Sequence, residues 1–237
     1  MSARFSELDW APTPVGELSL RRRRDPLLDV DVFEVKLGEE YLMSSLFTVA
    51  EIELATLGLA ASERDRLDVV VGGLGLGYTA RAALADDRVQ SLMVVEALLP
   101  VIGWHERELV PGGDGLVADA RTSLVHGDFF AMATSADGFD PARPGRRADV
   151  VLLDIDHSPR HVLHPSHAAF YTEHGLRQLS RHLHEDGVFA LWSDDPPDAE
   201  LMSRLAAVFA TSACHVVSFD NPLTGGTSAN TVYVAQR

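Results

Sequence analysis

Hydrophobic positions in this chain change period along its length. Between residues 17 and 43 they alternate with polar ones. Glu17 to Arg23, Val32-Phe33-Glu34-Val35-Lys36-Leu37 and Glu40-Tyr41-Leu42-Met43 fit half-buried strands, and Gly38-Glu39 supplies a short turn with glycine where φ above zero is needed. Thr48-Val49-Ala50-Glu51 then fits a capping box, opening a helix to about Ala61 ahead of the charged linker Ser62 to Arg66. From Leu67 onward, short apolar runs rich in β-branched residues alternate with helix-period segments, as in a parallel sheet covered on both faces. Strands are predicted at Leu67–Val71, Leu92–Val95, Ser123–His126, Val150–Leu153, Val188–Trp192, Cys214–Phe219 and Thr231–Ala235, the last two as an antiparallel hairpin edge. Helices are predicted at Tyr78–Ala85, Pro100–Leu109, Phe129–Thr134, Pro165–His184 and Asp198–Phe209. Gly112-Gly113-Asp114-Gly115 and Asp140 to Gly145 read as surface turns. The expected architecture is α/β: a Rossmann-like, doubly wound, seven-stranded and mostly parallel sheet over residues 47–237, with a small antiparallel β-hairpin unit over residues 1–46.

At 237 residues the chain suits one such domain with an appendage. No apolar run reaches the length of a membrane span, and the first residues are polar and interrupted by Pro12 and Pro14, so neither a membrane segment nor a signal peptide is expected and the protein is placed in the cytoplasm. The net charge of −15 repels polyanions and argues against nucleic acid as a partner. Arg21-Arg22-Arg23-Arg24 runs against that balance and reads as a solvated hairpin edge. The single cysteine, Cys214, excludes an internal disulfide and, beside Val216 and Val217, reads as a small hydrophobe inside a strand.

The candidate chemistry begins where the first apolar strand ends. Val69-Val70-Val71 runs into Gly72-Gly73-Leu74-Gly75-Leu76-Gly77-Tyr78-Thr79, a strand, a tight turn and a helix start, the cradle of a nucleotide. The next strand ends at Glu96, placed to accept from both ribose hydroxyls. Gly75-Leu76-Gly77-Tyr78-Thr79-Ala80 also fits a nicotinamide fingerprint, but the third strand is followed by Asp128 and Phe129, a carboxylate for an adenine amino group and a ring to cover it, as in S-adenosylmethionine enzymes. Asp154 ends the fourth strand, where a general base or a partner for a cationic centre belongs. Asp156 and His157 follow as further acid–base candidates, and His161 and Asp194, also beyond strand ends, as candidate acceptor contacts. The histidines at 157, 161, 164, 167 and 174 match no compact zinc spacing, and Pro159 and Pro165 break any helix that would align them, so no metal is expected.

Gly72-Gly73-Leu74-Gly75-Leu76-Gly77, Val95-Glu96, His126-Gly127-Asp128 and Leu152 to Pro159 together resemble the spermidine synthase family, within the class I methyltransferase-like fold. The resemblance implies an N-terminal β unit over the active site, pairing into a homodimer, and a small-molecule acceptor. It also exposes departures. Gly75 stands where the family's turn keeps an Asp for the aminopropyl end of decarboxylated S-adenosylmethionine, and His157 stands where a second Asp holds the amine. Of the family's tyrosine-histidine-glutamate cluster only Glu51 survives, as a candidate acceptor contact. A glycine turn with free N–H groups would accept the carboxylate of ordinary S-adenosylmethionine. The expected activity is therefore methyl transfer from S-adenosylmethionine to a small molecule, with aminopropyl transfer from the decarboxylated donor as the alternative and a catalytically silent dimeric nucleotide-binding module as the second.

Overall fold

A computed structural model describes residues 5–237; residues 1–4, which open the predicted N-terminal unit, lie outside the described residues. The chain begins with a four-stranded antiparallel sheet in the order β1-β2-β3-β4, from β1 (Phe5–Thr13), β2 (Gly16–Asp25), β3 (Val30–Leu37) and β4 (Glu40–Ser44). β1 escapes the sequence pattern because Phe5, Leu8 and Trp10 do not alternate regularly, a bulge between Glu7 and Asp9 breaking the period, and Pro12 is tolerated because β1 is an edge. β2 is thus an interior strand, and its basic run is neutralised in place: Arg23 bonds Glu34 and Asp25, Arg24 bonds Asp29 and Asp31, and Arg21 lies near Glu7. Cross-strand pairs Leu18↔Leu37, Leu20↔Val35 and Val35↔Met43 put one apolar face of this sheet against the main core.

After α1 (Val49–Ala60) comes the seven-stranded sheet, ordered β10-β11-β9-β8-β5-β6-β7, from β5 (Leu67–Gly72), β6 (Val89–Glu96), β7 (Thr122–His126), β8 (Ala148–Leu153), β9 (Leu183–Ser193), β10 (Thr211–Asn221) and β11 (Gly226–Gln236). β5 to β9 are parallel neighbours, and β11 and β10 close one edge antiparallel, as the hydrophobic pattern requires. Every residue of β8 is buried. Its side chains alternate between two cores: Val150 and Leu152 join Val69 and Val71 beneath α1, whereas Val151 and Leu153 join Val70 and the phenylalanines on the opposite face. Strand order reverses between β5 and β8, which opens a crevice at their carboxyl ends. Among the described residues no helix is long and apolar enough to cross a membrane.

Three helices and one strand residue depart from expectation. Thr48 precedes α1 but its side chain makes no capping bond, because Glu51 is turned into the crevice instead of back onto the helix end. The predicted helix 165–184 divides into a 3₁₀ turn (Pro165–Ala169) and α6 (Glu173–Ser180), which Thr172 opens by accepting from the Gly175 N–H at 3.2 Å; His184 already belongs to β9. Gly112 adopts φ 67° and starts a further short helix, α4 (Gly113–Ala118), where a turn was expected. Cys214 lies in β10 as expected but is exposed, since β10 is the sheet's free edge. The remaining helices are α2 (Tyr78–Leu84), α3 (Leu99–Glu106), α5 (Phe129–Thr134) and α7 (Ala199–Val208).

Candidate active site

The glycine turn after β5 is tied to both neighbouring strands. Gly73 N–H donates to Val95 O at 2.9 Å and Asp154 N–H to Gly72 O at 2.8 Å, so the tips of β5, β6 and β8 form one rigid rim. Glu96, buried at the end of β6, accepts from Leu74 N–H at 3.0 Å and Leu98 N–H at 2.7 Å. Burial pushes this carboxyl's pKa up, and the backbone N–H groups around it hold it back. Two further N–H groups of the turn are spent within the protein: Leu76 donates to Met43 Sδ at 3.2 Å and Gly77 to Leu74 O at 2.7 Å. The free N–H groups on which the methyl-donor expectation rested are therefore taken, at Gly73, Leu74, Leu76 and Gly77.

The glycines divide by role. Gly73 and Gly75 line the crevice, with φ +93° and +46°. Gly72 and Gly77, assigned to the cofactor from sequence, face packing: a Cβ would lie 2.5 Å from Phe129 at the first and 2.8 Å from His105 at the second. His105, fully buried on α3, contacts Gly75 O through Nε2 at 2.9 Å, and burial pulls its pKa down to about 4. Tyr78 lines the crevice, and the Arg81 guanidinium lies 4.6 Å over its ring while donating to Leu76 O.

Two carboxylates meet in the crevice. Asp154, at the tip of β8, accepts from Thr79 Oγ1 at 2.6 Å; that hydroxyl is also 3.2 Å from Glu51 O, joining α2, α1 and β8 at one point. Desolvation lifts Asp154 to about 6 against the Thr79 hydrogen bond, which lowers it. Glu51 is lifted further, to about 8, by burial first and then by the charge of Asp154. The sequence offers Asp154 by its place after a strand. Thr79 passes unnoticed because a threonine in the first turn of a helix is ordinary.

The segment after β8 distributes its other candidates differently. Asp156, one of the expected acid–base candidates, is buried away from the crevice and accepts from Tyr171 Oη at 2.7 Å, His167 Nδ1 at 2.8 Å and Leu163 N–H at 2.7 Å, so it anchors the loop. His157 does line the crevice, its Nε2 3.3 Å from Glu40 Oε1 on β4. His161 turns outward to Ser158 and Asp195, and Asp194 is held by Asn230 Nδ2 at 2.6 Å; neither lines the crevice. Asp128 lines it while one oxygen caps α5, accepting from Phe130 and Ala131 N–H, and Phe129 reaches it from an aromatic cluster in which it stacks on Phe139 at 4.9 Å.

The resulting cavity has a volume of about 380 Å³, within the range of small-molecule sites. Among the described residues its acidic walls are Glu51, Glu96, Asp128 and Asp154, with histidines at 157, 164 and 167 and no lysine or arginine. The N-terminal sheet lies over the cavity, where the family resemblance put it, and contributes an apolar wall of Leu18, Val35, Leu37, Leu42 and Met43, residues that the alternating pattern alone does not assign to a site.

Among solved structures, the chain superposes on a spermidine synthase in complex with the transition-state analogue AdoDATO at a TM-score of 0.71, with 17% identity over 97% of this chain and 72% of that one. The fold is that of the spermidine synthases. The spermidine synthase from Thermotoga maritima gives the same values, and a probable spermidine synthase from Corynebacterium glutamicum ATCC 13032 aligns at 0.61, with 15% identity over 98% of this chain and 79% of that one. No protein-family model and no curated protein matches the sequence. The alignment takes in nearly the whole chain, so it spans both the N-terminal sheet and the seven-stranded sheet.

Proposed function

We propose that the chain transfers an alkyl group from an adenosyl sulfonium donor to an amine, with aminopropyl transfer from decarboxylated S-adenosylmethionine ahead of methyl transfer. One observation carries this order: a cavity whose charged walls are all acidic, centred on Glu51 and Asp154, suits a cationic tail and a cationic amine. Among the described residues a donor carboxylate finds no lysine or arginine in the wall and no free N–H at Gly73, Leu74, Leu76 or Gly77. The name of the aligned enzymes, spermidine synthase, agrees with this reading. Methyl transfer keeps one point in its favour, the absence of a carboxylate at Gly75 and His157.

The residues fit an adenosyl group. Gly73 and Gly75 present bare backbone to the cavity, and Glu96 lines it beside them at the tip of β6. When bound, such a donor supplies a carbon activated by its sulfonium; the amine lone pair forms the C–N bond, the C–S bond breaks, and its electrons leave a neutral thioether. Asp154 takes the proton that the nitrogen gives up, with Thr79 holding one carboxylate oxygen so that the other faces the amine. Glu51 completes the acidic wall beside it.

Mass spectrometry of products from each donor with a panel of amines tests the order. Methylthioadenosine released from the decarboxylated donor is the expected nucleoside; S-adenosylhomocysteine from the ordinary donor as the sole nucleoside product would establish methyl transfer instead. The ribose role of Glu96 is tested separately. Glu96→Ala is expected to weaken methylthioadenosine binding at least tenfold, since hydrogen bonds to a charged group are worth about 1.5–3 kcal/mol. Unchanged affinity in calorimetry excludes that role.

A further inference from the structure

The acidic groups of the cavity are unevenly placed. Glu51 and Asp154 adjoin at Thr79, whose hydroxyl bonds the Asp154 carboxylate and lies 3.2 Å from the Glu51 backbone carbonyl, and Glu96 and Asp128 sit at the tips of β6 and β7, where the nucleoside is assigned. The same cavity is walled by Val15, between β1 and β2, and by Leu18, Val35, Leu37, Leu42 and Met43 of the N-terminal sheet. Strand register fixes this composition: Leu18 pairs with Leu37 and Val35 with Met43, so these four share one face and none can be exchanged for its polar neighbours without a slip of the whole strand. Among the described residues the sheet contributes no carboxylate to the cavity lining; Glu40 of β4 lies behind His157, its Oε1 3.3 Å from Nε2.

Resting on the amine-transfer reading above, we propose that the acceptor is a monoamine on an apolar body, an alkyl or arylalkyl amine, and not a diamine or polyamine. One ammonium group matches the Glu51–Asp154 centre. A hydrocarbon body matches the sheet wall, where removal of apolar surface from water favours binding. A second ammonium group would be pressed against that wall with no carboxylate to meet it, and an unpaired charge taken out of water opposes binding. Discrimination thus comes from what the wall lacks as much as from what it offers.

Calorimetry at pH 7.5 with methylthioadenosine present, using n-hexylamine, phenethylamine, putrescine and spermidine, tests this. The monoamines are expected to bind at least tenfold more tightly than putrescine. Leu37→Glu, at a half-buried strand position, is expected to raise putrescine affinity at least tenfold and leave methylthioadenosine affinity unchanged. Tighter binding of putrescine or spermidine to the unaltered protein overturns the proposal, and that comparison decides it even if the variant does not fold. Binding of no amine overturns both the proposal and the transferase reading. Tight monoamine binding with no turnover from either donor overturns the transferase reading alone.

Discussion

Asp154→Asn is expected to lower turnover by a factor of about 10²–10⁴, the ordinary worth of a positioned general base, while the protein melts at the same or a higher temperature. Both effects come from one environment. Burial lifts Asp154 from the ordinary 3.8 to about 6, and Glu51 beside it to about 8, so near neutral pH the pair holds one proton between them and keeps about one negative charge. That charge both attracts an ammonium group and leaves a carboxylate free to take a proton. Turnover should climb as pH rises through about 6, where Asp154 sheds its proton, and that limb should vanish in the asparagine variant. The stability effect has the opposite sense. A carboxyl with a raised folded-state pKa binds more protons folded than unfolded, so its contribution to stability falls as pH rises from about 3.8 to about 6 and stays low above that. The rise is worth about 3 kcal/mol at most, which asparagine would recover above pH 6, or roughly 2–4 °C in Tm for each kcal/mol at this size. Loss of activity with gain of stability is the mark of a group kept for chemistry. A pH–rate profile and thermal melts on the same samples check it; an asparagine variant that retains full turnover removes Asp154 from the base role.

Much of this site follows from periodicity alone. Strands β5, β6 and β8 are nearly continuous apolar runs, and the residues that end them, Gly73, Glu96 and Asp154, reach the cavity because side-chain alternation and sheet order leave no other place for them. What was not legible depended on partners distant in sequence. Asp156 lies two residues past Asp154, beyond the end of β8, where strand alternation no longer decides which way a side chain turns, and only the position of Tyr171 and His167 shows that it is consumed in packing. Glycine composition suggested open N–H groups, yet Met43, more than 30 residues earlier, accepts one of them and Glu96 another. The capping box at Thr48 failed for the same reason: α1 lies where Glu51 has a cavity to face, and tertiary placement outweighed a local bond of about 1 kcal/mol.

Gly73→Ala should be the most damaging single methyl in the chain. Gly73 holds φ +93°, a region that side chains rarely enter, and an added Cβ would stand 2.0 Å from Asp154 O, 2.9 Å from Asp154 C and 3.0 Å from Ile155 Cγ1. The first two are backbone atoms of the rim, pinned by the Asp154 N–H bond to Gly72 O, so the clash cannot be relieved by turning a side chain. Overpacking of this kind costs about 1–3 kcal/mol and the left-handed conformation about 1–2 kcal/mol more, together a fall in Tm of the order of 10 °C at this chain length. The relief that remains is to push Asp154 away from Thr79, so molecules that do fold should also turn over poorly. Gly75→Ala is the matched control. Its φ of +46° lies in the ordinary left-handed region, and its Cβ would meet Met43 Sδ at 2.5 Å, the far part of a flexible side chain that can swing aside. That variant should lose no more than about 1–2 kcal/mol. Thermal denaturation of the two side by side decides it: equal melting temperatures would show that the rim between β5 and β8 yields to a methyl group, and that Asp154 is not held in place by the turn beside it.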